Sequence, residues 1–164
     1  VVHQPFADPY CQELNDVLAD AAESATDADV VRGGTYVCIE GPQYSTRAES
    51  GFYREQGWDV IGMTTIPEAK LAREAEMAYA TVAGVTDYDV WKEDSEVTLD
   101  EVLENAAENE AAIKETVEAA IRALPSDHEC DCHTSLAGTI NTPDEAIPNS
   151  TKAALEPLIG EYVE

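Results

Sequence analysis

Three short apolar runs, 35–40, 58–63 and 79–85, each end in a polar cluster, and helix-starting residues follow the first two. Thr46-Arg47-Ala48-Glu49 and Thr65-Ile66-Pro67-Glu68 have the capping-box spacing, with Pro67 inside a first turn. The pattern predicts a strand over 35–40, broken at Gly41-Pro42, and a helix over 46–56 stopped by Gly57. A buried strand over 58–63, a helix over 67–77 and a third strand over 79–86 follow. Upstream, 1–10 reads as a strand end and turn. Asp8 and Pro9 then open a helix in which Leu14, Val17, Leu18 and Ala21 share a face, and 26–34 is a linker. Downstream, Thr98-Leu99-Asp100-Glu101 repeats the capping spacing and starts a long helix to Leu124. Its expected buried stripe is Leu99, Val102, Leu103, Ala106, Ile113, Val117, Ile121 and Leu124. A last short helix is expected over 151–163. Strand, polar turn and helix in repetition predict an α/β fold, in which ligands sit at the carboxyl ends of the strands.

Charge changes this picture in one respect. The 164 residues carry 34 acids against nine Lys and Arg, a net charge of −25. Double-stranded nucleic acid and anionic membrane surfaces both require a positive field, so neither is an expected partner. The acids are spread through periodic segments and 44% of residues are hydrophobic, which favours a folded, salt-adapted protein over a disordered acidic tail. No apolar run reaches about eighteen residues, so no membrane-spanning helix is expected, and without a charged-then-apolar leader a cytoplasmic setting is. The chain opens at Val1 without an initiator Met and reads as a partial sequence.

The strand ends hold the candidate chemistry. Asp87-Tyr88-Asp89 places two carboxylates two residues apart, which can grip the edge of a purine or simply cap a turn. Met63-Thr64-Thr65 offers an apolar surface for a sugar and a hydroxyl for an anion, or a buried Met with a cap. Gly41 lets backbone approach a ligand, and Tyr44 can stack on a base or fill a turn. Arg47 and Glu49 read as an ion pair. His3 is either a partner of backbone or a substrate contact. His128-Glu129-Cys130-Asp131-Cys132-His133 lacks the two-residue Cys spacing of zinc sites, so no metal ligand set is assigned, and a thiol pair is an equal reading. Cys11 and Cys38 read as core thiols. Walker and Gly-x-Gly-x-x-Gly loops are absent, against nucleotide hydrolases and dinucleotide enzymes of those designs.

The stretch 39–50, Ile-Glu-Gly-Pro-Gln-Tyr-Ser-Thr-Arg-Ala-Glu-Ser, resembles the signature of S-methyl-5'-thioadenosine phosphorylases, in the purine nucleoside phosphorylase superfamily. So do Asp59-Val60-Ile61-Gly62-Met63-Thr64-Thr65 and Thr86-Asp87-Tyr88-Asp89 with Trp91, and the match covers most of 3–124. The resemblance implies a mixed, barrel-like sheet flanked by helices, incomplete at the N-terminus. Residues 1–124 would be the carboxyl-terminal part of the phosphorylase domain, and 125–164 a variable tail. The type implied is archaeal and salt-adapted. It implies a pentosyltransferase that converts methylthioadenosine and phosphate to adenine and methylthioribose 1-phosphate, working without a cofactor as a homotrimer or homohexamer. Tyr44 and Ser45 would line the base pocket, Ile61, Gly62 and Met63 would lie along base and ribose, and Thr64 would contact phosphate. Asp87 would serve N7 and Asp89 the adenine amino group. Leu99 and His3 would shape the 5' pocket, His3 reaching a neighbouring subunit. The sequence departs from the family in lacking the Gly-rich strand end, Arg-His pair and Thr that hold most of the phosphate, and in having Gly62 where many members have Asn. A phosphorylase for another purine nucleoside, a non-catalytic binding domain and a thiol or metal switch at Cys130 and Cys132 are the competing readings.

Overall fold

A computed structural model describes residues 1–92, 98–126 and 130–164. The chain divides into two compact units: Val1–Leu14, Pro67–Ala80 and Asp127–Glu164 form one, Asn15–Ile66 and Thr81–Ser126 the other.

The second unit is built on a parallel strand pair. β1 (Tyr36–Cys38) and β2 (Val60–Gly62) align Tyr36 with Val60 and Cys38 with Gly62. Asp59 fixes the entry to the ladder, its Oδ2 accepting the Thr35 N–H at 2.6 Å. Between the strands runs α2 (Arg47–Glu55), with both halves of the expected capping box present at Thr46 and Glu49. That cap corrects the expected Arg47–Glu49 pair. The Glu49 carboxylate is held below its usual range by the Thr46 backbone N–H and then its hydroxyl, while Arg47 donates to the Val90 carbonyl. Behind α2, Trp58 stacks on Tyr53 with ring centroids 5.8 Å apart and meets Phe52 edge-on.

The expected strand over 79–86 forms no ladder among the described residues. Side chains supply part of its hydrogen bonding instead: Asn105 and Asn109 of α4 (Leu99–Ala123) donate to the carbonyls of Thr86 and Val85 at 2.7 and 2.9 Å. Gly84 permits this approach, because a Cβ there would lie 2.8 Å from the Asn109 Cβ. α4 keeps nearly its expected limits, and the Thr98 hydroxyl caps Glu101 N–H. Its buried face differs from expectation. Thr116 and Ala120 are buried, whereas Leu99, Leu103, Val117 and Ile121 are exposed. The amide side chains of Asn105 and Asn109 are the ones that meet the 84–86 segment.

In the first unit, Val2 bridges Ile140 antiparallel, flanked by His3 N–H to Thr139 O at 3.0 Å and Asn141 N–H to Val1 O at 2.9 Å. Residues 12–14 of α1 (Gln12–Ala25) belong to this unit; the helix begins later than Asp8 and Pro9 suggest, and the Cys11 N–H ahead of it donates to the Tyr79 carbonyl at 2.7 Å. α3 (Thr65–Glu74) is kinked at Ile66, whose backbone is extended, so regular helix starts at Pro67 as the proline predicts. Glu76 closes α3 in the left-handed region at φ 54°, and its carboxylate accepts the Leu136 N–H and the Tyr162 hydroxyl, both at 2.8 Å. α5 (Asn149–Ile159) lies two residues upstream of the expected start and buries Ile159; Cys11, Ala69 and Leu136 are the other buried apolar residues among the described residues of this unit. No helix among the described residues is long and apolar enough to cross a membrane.

Candidate functional site

The second unit contains a hollow of about 570 Å³ lined by β1, β2 and the segments that follow them, together with 83–91. Seven residues singled out in the sequence line it: Tyr44, Ser45, Ile61, Gly62, Met63, Asp87 and Asp89. Thr64 and Leu99 are exposed and are not among the lining residues. Thr64 sits between β2 and the kink at Ile66, and Leu99 is the first residue of α4, 72% exposed. His3 belongs to the other unit, where its backbone continues the bridge to Thr139.

The two carboxylates are fixed from several directions. Asp87 Oδ1 accepts the Asp89 N–H at 2.8 Å, and its Oδ2 accepts the Thr86 hydroxyl at 2.7 Å. Asp89 stands in the left-handed region at φ 60°, which Asp tolerates better than most residues. Its Oδ1 accepts the Val90 N–H at 2.7 Å and its Oδ2 the Ser50 hydroxyl at 2.6 Å. Ser50, on α2, is only 2% exposed, so α2 reaches the carboxylate from beneath. Arg54 of the same helix lies 3.7 Å over the Trp91 ring, and Lys92 lies 3.8 Å over Tyr88. Each Asp oxygen has one lone-pair direction left for a ligand.

The opposite wall is apolar. Gly41, at φ 69°, carries the turn over Met63 so closely that a Cβ would sit 2.6 Å from the sulfur. Gly62 leaves its side-chain volume to Tyr36, whose hydroxyl would lie 1.9 Å from a Cβ at that position. The missing side chain at Gly62 is therefore matched by the bulk of Tyr36. The Ser45 hydroxyl is buried and has no hydrogen-bond partner among the described residues, an unmet polar group on the wall of the hollow. Tyr44 is 87% exposed at the rim.

Sequence reasoning missed Ser50, Tyr36, Asn105 and Asn109. Ser50 lies within the stretch 39–50, but nothing local indicates that its hydroxyl meets a carboxylate 39 positions on. A different hollow, of about 450 Å³, lies in the first unit, where Arg73 on its wall already donates to the Pro5 and Asp8 carbonyls. The paired acids make the first hollow the stronger site. The first unit also gathers the sulfurs of Cys11, Cys130 and Cys132 within 4.8 Å of one another, a grouping that joins a supposed core thiol to the Cys-x-Cys; His128 and Glu129 lie outside the described residues.

Two acids, an unmet hydroxyl and an apolar wall share one hollow of an α/β unit, a lining suited to a flat polar heterocycle with an apolar appendage. Residues 1–122 match the model of the phosphorylase superfamily. The chain is 47% identical over 163 residues to S-methyl-5'-thioadenosine phosphorylase of Koribacter versatilis and 48% identical over 164 to that of Geobacter sulfurreducens. These matches cover 99% of this chain and 56% and 57% of those proteins, so the chain spans little more than half the length of the curated relatives it matches. The crystal structure of a methylthioadenosine phosphorylase from an Antarctic soil metagenomic library superposes with a TM-score of 0.86 at 44% identity, over 96% of this chain and 56% of that one. Methylthioadenosine phosphorylase from Schistosoma mansoni in complex with adenine gives 0.72 at 32% identity, over 85% and 54%. The chain belongs to the phosphorylase superfamily and has its α/β fold.

Proposed function

We propose that the protein acts in the phosphorolysis of S-methyl-5'-thioadenosine, forming adenine and methylthioribose 1-phosphate, and that this chain carries the base-binding side of the reaction. One observation supports the reading above the others: Asp87, Asp89, Ser45 and Met63 converge on one hollow beside Tyr44 and Gly62. Phosphate attacks the anomeric carbon as the bond to the base breaks, and the electron pair passes into the purine ring. Asp87 stabilises the departing base by sharing a proton at N7, a general-acid contribution of about 10²- to 10⁴-fold. Asp89 accepts from the 6-amino group, which selects an aminopurine over a 6-oxopurine. Met63 and Ile61 lie along the sugar, Thr64 contacts phosphate, and Leu99 and His3 shape the 5' pocket in the assembled oligomer. The working assembly is a homotrimer or homohexamer, and the acidic surface is an adaptation to concentrated salt.

The test is adenine release from methylthioadenosine, with and without phosphate, in molar salt. It is run on this chain and on the product of the whole reading frame that contains it. Phosphate-dependent release by the whole product, with preference moved toward 6-oxopurine nucleosides in Asp89→Asn, is expected. A folded whole product that releases no adenine would sink the assignment, and unchanged selectivity in Asp89→Asn would remove the role given to Asp89.

A further inference from the structure

Outside the hollow, the first unit contains one cluster of donors that the phosphorolysis does not use. Cys11 precedes α1, Cys130 caps the short 3-10 helix Asp131–Thr134, and Cys132 lies within that helix. The three Sγ atoms lie within 4.8 Å of one another, and all are free thiols. They are held by backbone rather than by chance contact. Cys11 N–H donates to Tyr79 O at 2.7 Å, while the carbonyls of Cys130 and Cys132 accept the N–H groups of His133 and Ser135 at 3.1 and 3.3 Å. Cys11 is 4% exposed, and Cys130 and Cys132 are half-buried. The donors are thus preorganised, with one side partly open.

We propose that Cys11, Cys130 and Cys132 form a three-thiolate site for a thiophilic cation of the zinc class, clamping the start of α1 to the carboxyl-terminal segment. Soft sulfur donors select zinc over magnesium or calcium. At a zinc–sulfur bond of about 2.3 Å, tetrahedral geometry puts sulfurs about 3.8 Å apart. Small side-chain rotations close the remaining distance. The partly open side leaves the fourth position to water or another side chain. The Cys-x-Cys spacing fails the sequence test for zinc because that test counts only neighbours in the chain, and here the third donor arrives from 119 positions upstream of Cys130. On binding, three S–H groups lose their protons to solvent and three metal–sulfur bonds form, with no change of oxidation state.

The full chain is purified without a histidine tag under reducing conditions, equilibrated with zinc, and freed of loose metal by gel filtration. Elemental analysis is expected to find one zinc per chain. Cobalt(II) in its place is expected to give a sulfur-to-metal charge-transfer band whose intensity matches three thiolates, and zinc to raise Tm. Cys11→Ser and Cys132→Ser are expected to weaken binding by more than about tenfold, and Cys38→Ser to leave it unchanged. The cobalt spectrum of the unmutated chain counts sulfurs even where a variant fails to fold. No zinc with four reactive thiols, a Cys130–Cys132 disulfide in its place, or equal zinc retained on the acidic surface by folded Cys11→Ser would each overturn the proposal.

Discussion

The bond from Ser50 to Asp89 joins α2 to the wall of the hollow, and Ser50→Ala removes it with little change of volume. The oxygens are 2.6 Å apart, and the hydroxyl comes from a residue 2% exposed. A hydrogen bond to a charged group contributes about 1.5–3 kcal/mol. Asp89 is half-buried and borders open space, so water can replace part of the lost bond, and the lower end, about 1.5 kcal/mol, is the expected loss of stability. The other Asp89 oxygen keeps the Val90 N–H, and the Asp89 N–H keeps Asp87, so the loop stays while the carboxylate turns. Adenine affinity should then fall about tenfold, since 1.4 kcal/mol is a factor of ten. The assay is a double-mutant cycle with Asp89→Ala, read by urea unfolding in molar salt and by adenine titration. The strain of Ala at φ 60° appears in both Asp89→Ala arms and cancels. A coupling of about 1–1.5 kcal/mol is expected; additivity within about 0.5 kcal/mol would show that Ser50 does not hold Asp89.

Gly62→Ala places a Cβ 1.9 Å from the Tyr36 hydroxyl and should cost about 1–3 kcal/mol, and almost nothing in a Tyr36→Ala background; equal costs in both would refute the contact. The Tyr162 hydroxyl is held above its usual 10 by its bond to Glu76, then by burial and the charges of Glu76 and Glu161. The unfolded chain therefore ionises first, so this contribution is intact below about pH 10 and lost as pH rises further; a Tm series across that range should show a shallower fall in Tyr162→Phe. The net charge of −25 is set against few cations, and the screening length shortens from about 10 Å at 0.1 M salt to about 3 Å at 1 M. Urea midpoints should rise with potassium chloride over that range, and a fall would mean that exposed ion pairs such as Lys114–Glu110 outweigh the repulsion.

What could be read from the chain depends on how far apart the interacting residues lie. The α2 cap, the β1 and β2 runs and the length of α4 are set by residues within a few positions of one another, and all were legible. The 79–86 run was misread because a short apolar run looks the same whether a neighbouring strand or Asn105 and Asn109 bond its carbonyls. The α4 face was misread for a related reason. Periodicity marks where apolar side chains recur, but Asn105 and Asn109 are what meet the 85–86 backbone, and the buried positions are the small Thr116 and Ala120 rather than the leucines. The start of α1 falls later than Asp8 and Pro9 suggest, and the Cys11 N–H ahead of it pairs with Tyr79, 68 positions away. The site divides the same way. Its acids, Ser45 and Met63 fall in the polar clusters that follow the apolar runs, so these lining groups were legible, together with their order. Their support was not: Ser50 to Asp89 spans 39 positions, Tyr36 fills the space of Gly62, and Cys11 meets Cys130 and Cys132 across most of the chain. Motifs therefore name groups that line the hollow, while the residues that aim those groups emerge only when distant segments meet. Those aiming residues are where the substitutions above should separate a working site from one that merely has the right composition.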